Sequence, residues 1–102
     1  MRSGYSISWA DEANNNLDRI INYLEQNWSN KDIVNFFKKL EKRIEIIKQY
    51  PQIFPKSQIL KNVHCSVLTK QITIYYSVEN EIIRILSLFD TRQDPSKLKI
   101  WK

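Results

Sequence analysis

The chain holds one histidine, His64, and imidazole can gain or lose a proton near neutral pH, so this is the natural candidate for a general base. It sits in a stretch from Lys56 to Val78 that contains no carboxylate and carries Lys56, Lys61 and Lys70. Cations gathered without acids suit an anionic partner, either nucleic acid or an acidic protein segment. The plainer reading of such a stretch is a solvated face, and the plainer reading of a lone strand histidine is a surface residue. Arg84 interrupts an otherwise apolar run. It either reaches a concave functional face or snorkels to the sheet edge. Tyr75 and Tyr76 are adjacent, so in a strand they point to opposite faces. One belongs to the core, and the other could stack on a base.

Other chemistries are excluded by what is missing. One histidine and no nucleophile turn leave no serine-type triad, and one cysteine, Cys65, allows neither an internal disulfide nor a cysteine metal cluster. No cofactor motif is present. Cys65 is most simply a small buried hydrophobe, and its lack of a partner suits a reducing cytoplasm. No apolar run reaches membrane-spanning length, and the first residues lack the apolar core of a signal peptide. A cytoplasmic location without membrane contact is the expectation.

The elements that must position these residues follow from periodicity. Tyr5, Ile7 and Trp9 alternate with Ser6 and Ser8, which predicts a strand over residues 5–9. Asp11 and Glu12 open a helix whose stripe is Leu17, Ile20, Ile21, Leu24 and Trp28. Asn14, Asn15 and Asn16 are poor helix formers, so packing must hold this helix. The run Ser29-Asn30-Lys31-Asp32 reads as a break followed by a new cap. The second helix carries Ile33, Phe36, Phe37, Leu40, Ile44 and Ile47, with Arg43 and the lysines elsewhere. It stops at Tyr50-Pro51, because a residue before proline avoids helical geometry. After a rigid connector over 51–55 the period changes. β-Branched runs at 63–69, 72–78 and 82–89, separated by polar breaks, predict three meandering strands.

The predicted fold is therefore α+β: an antiparallel sheet of about four strands packed against an N-terminal helical hairpin, in the order β-α-α-β-β-β. Its 102 residues, 42% apolar, make a single domain over 1–102. Charge is uneven along the chain. Residues 56–102 hold eight basic and four acidic side chains out of a total net charge of +5.

This order of elements and a particular set of residues resemble the RelE/ParE toxin family. The set begins with Trp9-Ala10, Leu17, Ile20 and Tyr23, and continues through Phe36, Leu40, Ile44 and Ile47 to Tyr50-Pro51 and Phe54-Pro55. It then runs through Val67-Leu68 and Ile74-Tyr75-Tyr76 to Phe89-Asp90-Thr91-Arg92-Gln93-Asp94-Pro95. No single piece is specific, whereas the ordered set is. The resemblance implies the toxin of a two-gene module, neutralised by a cognate antitoxin that wraps it. Operator DNA would then be reached only through the toxin–antitoxin complex.

The resemblance leaves two targets open: messenger RNA on the ribosome, cleaved by RelE-like members, and DNA gyrase, inhibited by ParE-like members. Cleaving RNA through the 2′-hydroxyl needs a base, cations for the phosphorane and an acid for the leaving oxygen. By resemblance, Arg92, Lys61, Lys70 and His64 would fill the catalytic positions of a RelE-like enzyme. Yet no Tyr or His follows Arg92, and Trp101 cannot exchange a proton near neutrality. The structural reading of Arg92 is an ion pair with Asp90 or Asp94. The helical hairpin, about residues 11–49, is long for a RelE-like enzyme. Both features favour a ParE-like inhibitor of gyrase over the ribonuclease, with an inactive partner-binding remnant as the third reading. Trp28, the apolar helix faces and the sheet edge are the expected antitoxin contacts, and a basic toxin should prefer an acidic partner.

Overall fold

A computed structural model describes residues 5–58 and 60–90 of the chain. The elements follow the predicted order: β1 (Ser6–Trp9), α1 (Asp11–Asn27), α2 (Asn30–Gln49), β2 (His64–Val67), β3 (Ile72–Glu79) and β4 (Ile82–Asp90). Ser29 caps α2 with a reciprocal box. Its hydroxyl accepts from the Asp32 amide, and the Asp32 carboxylate accepts from the Ser29 amide, at 3.3 and 3.2 Å. Two N-terminal donors are thereby satisfied by the four-residue break that the sequence displays. Trp28 does not continue the α1 stripe. It is the C-terminal cap, in extended geometry, and stands 54% exposed.

The sheet order is β1-β4-β3-β2. β2, β3 and β4 pair antiparallel, as strands joined by tight turns must. β1 pairs parallel with β4, so the sheet is mixed and not wholly antiparallel. Alternating residues reveal a strand but not its neighbour or direction. Because β1 reaches the sheet only through the helical hairpin, the short-turn rule does not bind it. The β3–β4 turn places Asn80 at φ 55, and the connector places Asn62 at φ 61. Asparagine tolerates this left-handed region better than other residues with a β-carbon, which is how a chain with a single glycine makes both bends.

The core lies between α1, α2 and one sheet face. Ala13, Leu40 and Ile47 from the helices meet Ile74, Tyr76, Ile83, Ile85 and Leu88 from the strands. Ala13 is fully buried, and its small side chain lets α1 approach β4 closely. Tyr76 is the buried member of the tyrosine pair, while Tyr75 is half-buried and meets Phe89 edge-to-face at 6.4 Å. Asn16 explains one of the three poor helix formers. β1 ends opposite Ile85, so the outer edge of β4 beyond that point has no strand partner. The Asn16 side-chain carbonyl accepts there from the Leu88 amide at 3.1 Å and from the Ser87 hydroxyl at 3.0 Å. A buried edge is completed by a side chain where a strand is lacking. No helix among the described residues is long and apolar enough to cross a membrane.

Candidate functional site

Two concavities lie at opposite ends of the sheet. The larger, about 590 Å³, opens between the two helices at the end where β2 turns into β3 and β4 finishes. Ile20, Tyr23, Leu24, Trp28 and Phe36 line its helical side, and Ile72 and Leu88 form part of its sheet side. Arg19, Lys39 and Lys70 also line it, together with Glu12, Asp32 and Asp90. Tyr23 is 49% exposed, so with Trp28 it offers two large aromatic surfaces to solvent beside an apolar floor. α1 packs against β4, and Tyr23 and Trp28 near its C-terminal end stay exposed. Such a groove has the form that takes an amphipathic segment of a partner.

The smaller concavity, about 440 Å³, lies at the other end, where β2 begins, β3 finishes and β4 begins. Gln52, Lys56 and Asn62 of the connector line it, with His64, Ser77 and Arg84 from the strands. The connector is held in place by three backbone carbonyls. Pro51 accepts from the Tyr76 hydroxyl at 2.8 Å, Phe54 accepts from His64 Nδ1 at 2.8 Å, and Pro55 accepts from the Cys65 amide at 2.9 Å. Since a carbonyl only accepts, Nδ1 carries the ring proton. The imidazole also stacks on the Tyr76 ring, centroids 5.1 Å apart. Burial pushes the Tyr76 hydroxyl up to about 12, and the Cys65 thiol adds to the shift. Tyr75 is raised by the same two causes in the same order. Neither tyrosine is poised to exchange a proton near neutrality.

Of the four candidate catalytic residues, the three that lie within the described residues, His64, Lys61 and Lys70, are not gathered into one site. His64 lines the smaller cavity but is 5% exposed, neither the surface residue nor the open base that the sequence suggested. Lys70 lines the larger groove, separated from His64 by the length of β2, roughly 10 Å of strand. Lys61 is exposed on the connector and lines neither cavity, and Arg92 lies outside the described residues. Arg84 cannot reach a sheet edge because β4 is flanked by β1 and β3, so it opens onto the smaller cavity. Lys56 and Gln52 were not singled out as site residues. Lys56 was visible only as one cation of the acid-free stretch, and its place beside His64 depends on an isolated antiparallel bridge between the two residues. Cys65 is half-buried, not a core residue.

Comparison with known proteins gives the architecture its family. The family model described as the ParE toxin of type II toxin–antitoxin systems, parDE, matches residues 7–95. The chain belongs to the ParE toxin family. It is therefore the toxin component of a type II toxin–antitoxin module, as the resemblance of the sequence implied. Among solved structures, the chromosomal ParDE toxin–antitoxin system from P. aeruginosa is similar at a TM-score of 0.73 and 16% identity, over 86% of this chain and 97% of that one. The YoeB–YefM complex from Staphylococcus aureus is similar at 0.56 and 18% identity, over 83% of this chain and 94% of that one. The YoeB dimer from the same organism gives 0.57 and 16% identity over the same shares. At such identities the likeness is one of fold. No curated protein matches the chain significantly.

Proposed function

We propose that this toxin arrests growth by binding DNA gyrase, and that a cognate antitoxin neutralises it by occupying the groove between the helices. The observation that carries the reading is the ParE family match across residues 7–95. The long hairpin, 17 and 20 residues in its two helices, supports it, and so does the dispersal of His64, Lys61 and Lys70. A ribonuclease needs its base, acid and cations within reach of one phosphodiester. His64 is buried with one nitrogen committed to Phe54, and Lys70 lies at the far end of the sheet.

The antitoxin reading rests on the groove and on the ParDE system that the fold resembles. Exposed aromatic residues over an apolar floor, with charges of both signs around them, suit an amphipathic segment. The deciding experiment pairs two assays on purified toxin. Supercoiling by gyrase should be inhibited, and messenger RNA on translating ribosomes should stay intact. Cleavage within ribosome-bound codons, lost in Arg92→Ala or in His64→Ala with the fold intact, would overturn the gyrase reading in favour of a RelE-like ribonuclease.

A further inference from the structure

We propose that the smaller cavity is a binding site for a phosphate group, carried either by a small nucleotide or by a nucleic-acid backbone. This goes beyond gyrase inhibition and does not depend on it. Lys56 and Arg84 enter the cavity from different elements, one from the connector and one from the central strand β4. Among the described residues neither cation is held in an ion pair. Gln52, Asn62 and Ser77 add amide and hydroxyl donors, against one carboxylate, Glu79. Two cations and three neutral donors around one concavity match an anion with several acceptor oxygens. A planar guanidinium can engage two of those oxygens at once.

The cavity is built before any ligand arrives. Its wall is fixed by the bonds from Tyr76, His64 and the Cys65 amide to the connector carbonyls. Lys56 is tied to His64 through the backbone bridge, and Ser77 lies directly across from Arg84 in the β3–β4 register. The register shift between Tyr75 and Tyr76 leaves Leu86 as an extra residue on β4, and this residue, 2% exposed, lines the cavity. Buried Leu86 and His64 wall the cavity on one side, while Lys56 and Arg84 are themselves exposed and open to an arriving ligand. At about 440 Å³ the cavity falls in the size range of small-ligand sites.

The test uses the full chain and two probes, inorganic pyrophosphate and a short single-stranded oligonucleotide without terminal phosphates, followed by NMR titration. Saturable shifts should appear at Asn62, Ser77 and Arg84 and on the His64 ring. Arg84→Gln should weaken binding about tenfold, as expected for loss of a charge-assisted contact, while Lys70→Gln at the other end of the sheet should leave it unchanged. Lys56→Gln provides the same readout should Arg84→Gln disturb the sheet, and thermal melting monitors both. Saturation by pyrophosphate alone identifies the diphosphate group of a small nucleotide, and saturation by the oligonucleotide identifies a backbone phosphodiester. Either result supports the site. Absence of saturable shifts with both probes, or equal weakening by Lys70→Gln and Arg84→Gln, overturns it, because the second pattern is only the response of a basic protein to anions.

Discussion

At the scale of single residues, three polar side chains hold what apolar packing alone would leave open. Asn16 satisfies the β4 edge, and replacing it with alanine strands the buried Leu88 amide and Ser87 hydroxyl. Asn16→Ala should cost about 1–3 kcal/mol in chemical denaturation, although alanine is the better helix former. A variant as stable as the parent would show that water replaces the amide without loss. Arg43 joins α2 to the sheet edge. Its guanidinium donates to the Ser66 hydroxyl at 2.7 Å and to the Val67 carbonyl at 2.6 Å, and its centre lies 5.4 Å from the Phe54 ring centroid. Tyr76 carries the third device. Its hydroxyl is held protonated up to about 12, above the usual tyrosine value near 10, first by burial and then by Cys65. A raised acid of this kind contributes stability that is complete below about pH 10 and is lost as pH climbs towards 12. The stability difference between the parent and Tyr76→Phe should therefore shrink across that window. Equal slopes for the two proteins would show that Tyr76 titrates normally.

At the scale of elements, the helical hairpin has two separable tasks. The start of its second helix, α2, depends on the Ser29 box, and Ser29→Ala should lower stability by about 1 kcal/mol without changing the fold. Its open side presents Tyr23 and Trp28. Trp28 caps α1 and lies outside the hydrophobic core, so Trp28→Ala should leave the melting temperature nearly unchanged. The same change should weaken antitoxin binding by at least tenfold, as removal of an aromatic anchor at an interface does. Calorimetry with purified antitoxin measures the effect. Unaltered affinity would move the antitoxin away from this groove, to another apolar surface such as that around Val67 of β2, which stands 63% exposed.

At the scale of the molecule, the positive balance is carried by the second half of the chain: residues 56–102 hold eight basic and four acidic side chains, and most of that excess follows Asp90 in the sequence. Association with an acidic antitoxin should be steered by this field and should slow markedly as salt rises. Stopped-flow rates that stay flat across ionic strength would assign recognition to the apolar groove alone. Expression should arrest growth, and co-expression of the antitoxin should relieve the arrest. Soluble protein that leaves growth unaffected would point to a remnant kept only for its partner.

Periodicity by itself determined the six elements and their order, because a chain that must bury one face of each helix and strand writes that face into its residue spacing. The cap at Ser29 and the stop at Tyr50-Pro51 were legible for the same local reason: the interacting groups are neighbours in sequence. Family membership was legible because an ordered set of residues survives where no single motif is specific. Only the tertiary structure decided the parallel pairing of β1, since direction depends on where the helical hairpin returns the chain. It also decided that His64 is a buried tie to the connector, and that His64 and Lys70 stand at opposite ends of β2. Lys56 and Arg84 are 28 positions apart in sequence and share a cavity only because the connector folds back on β2 and β3 lies between β2 and β4. Contacts between distant residues leave no periodic trace, so this site becomes visible only once the sheet is assembled.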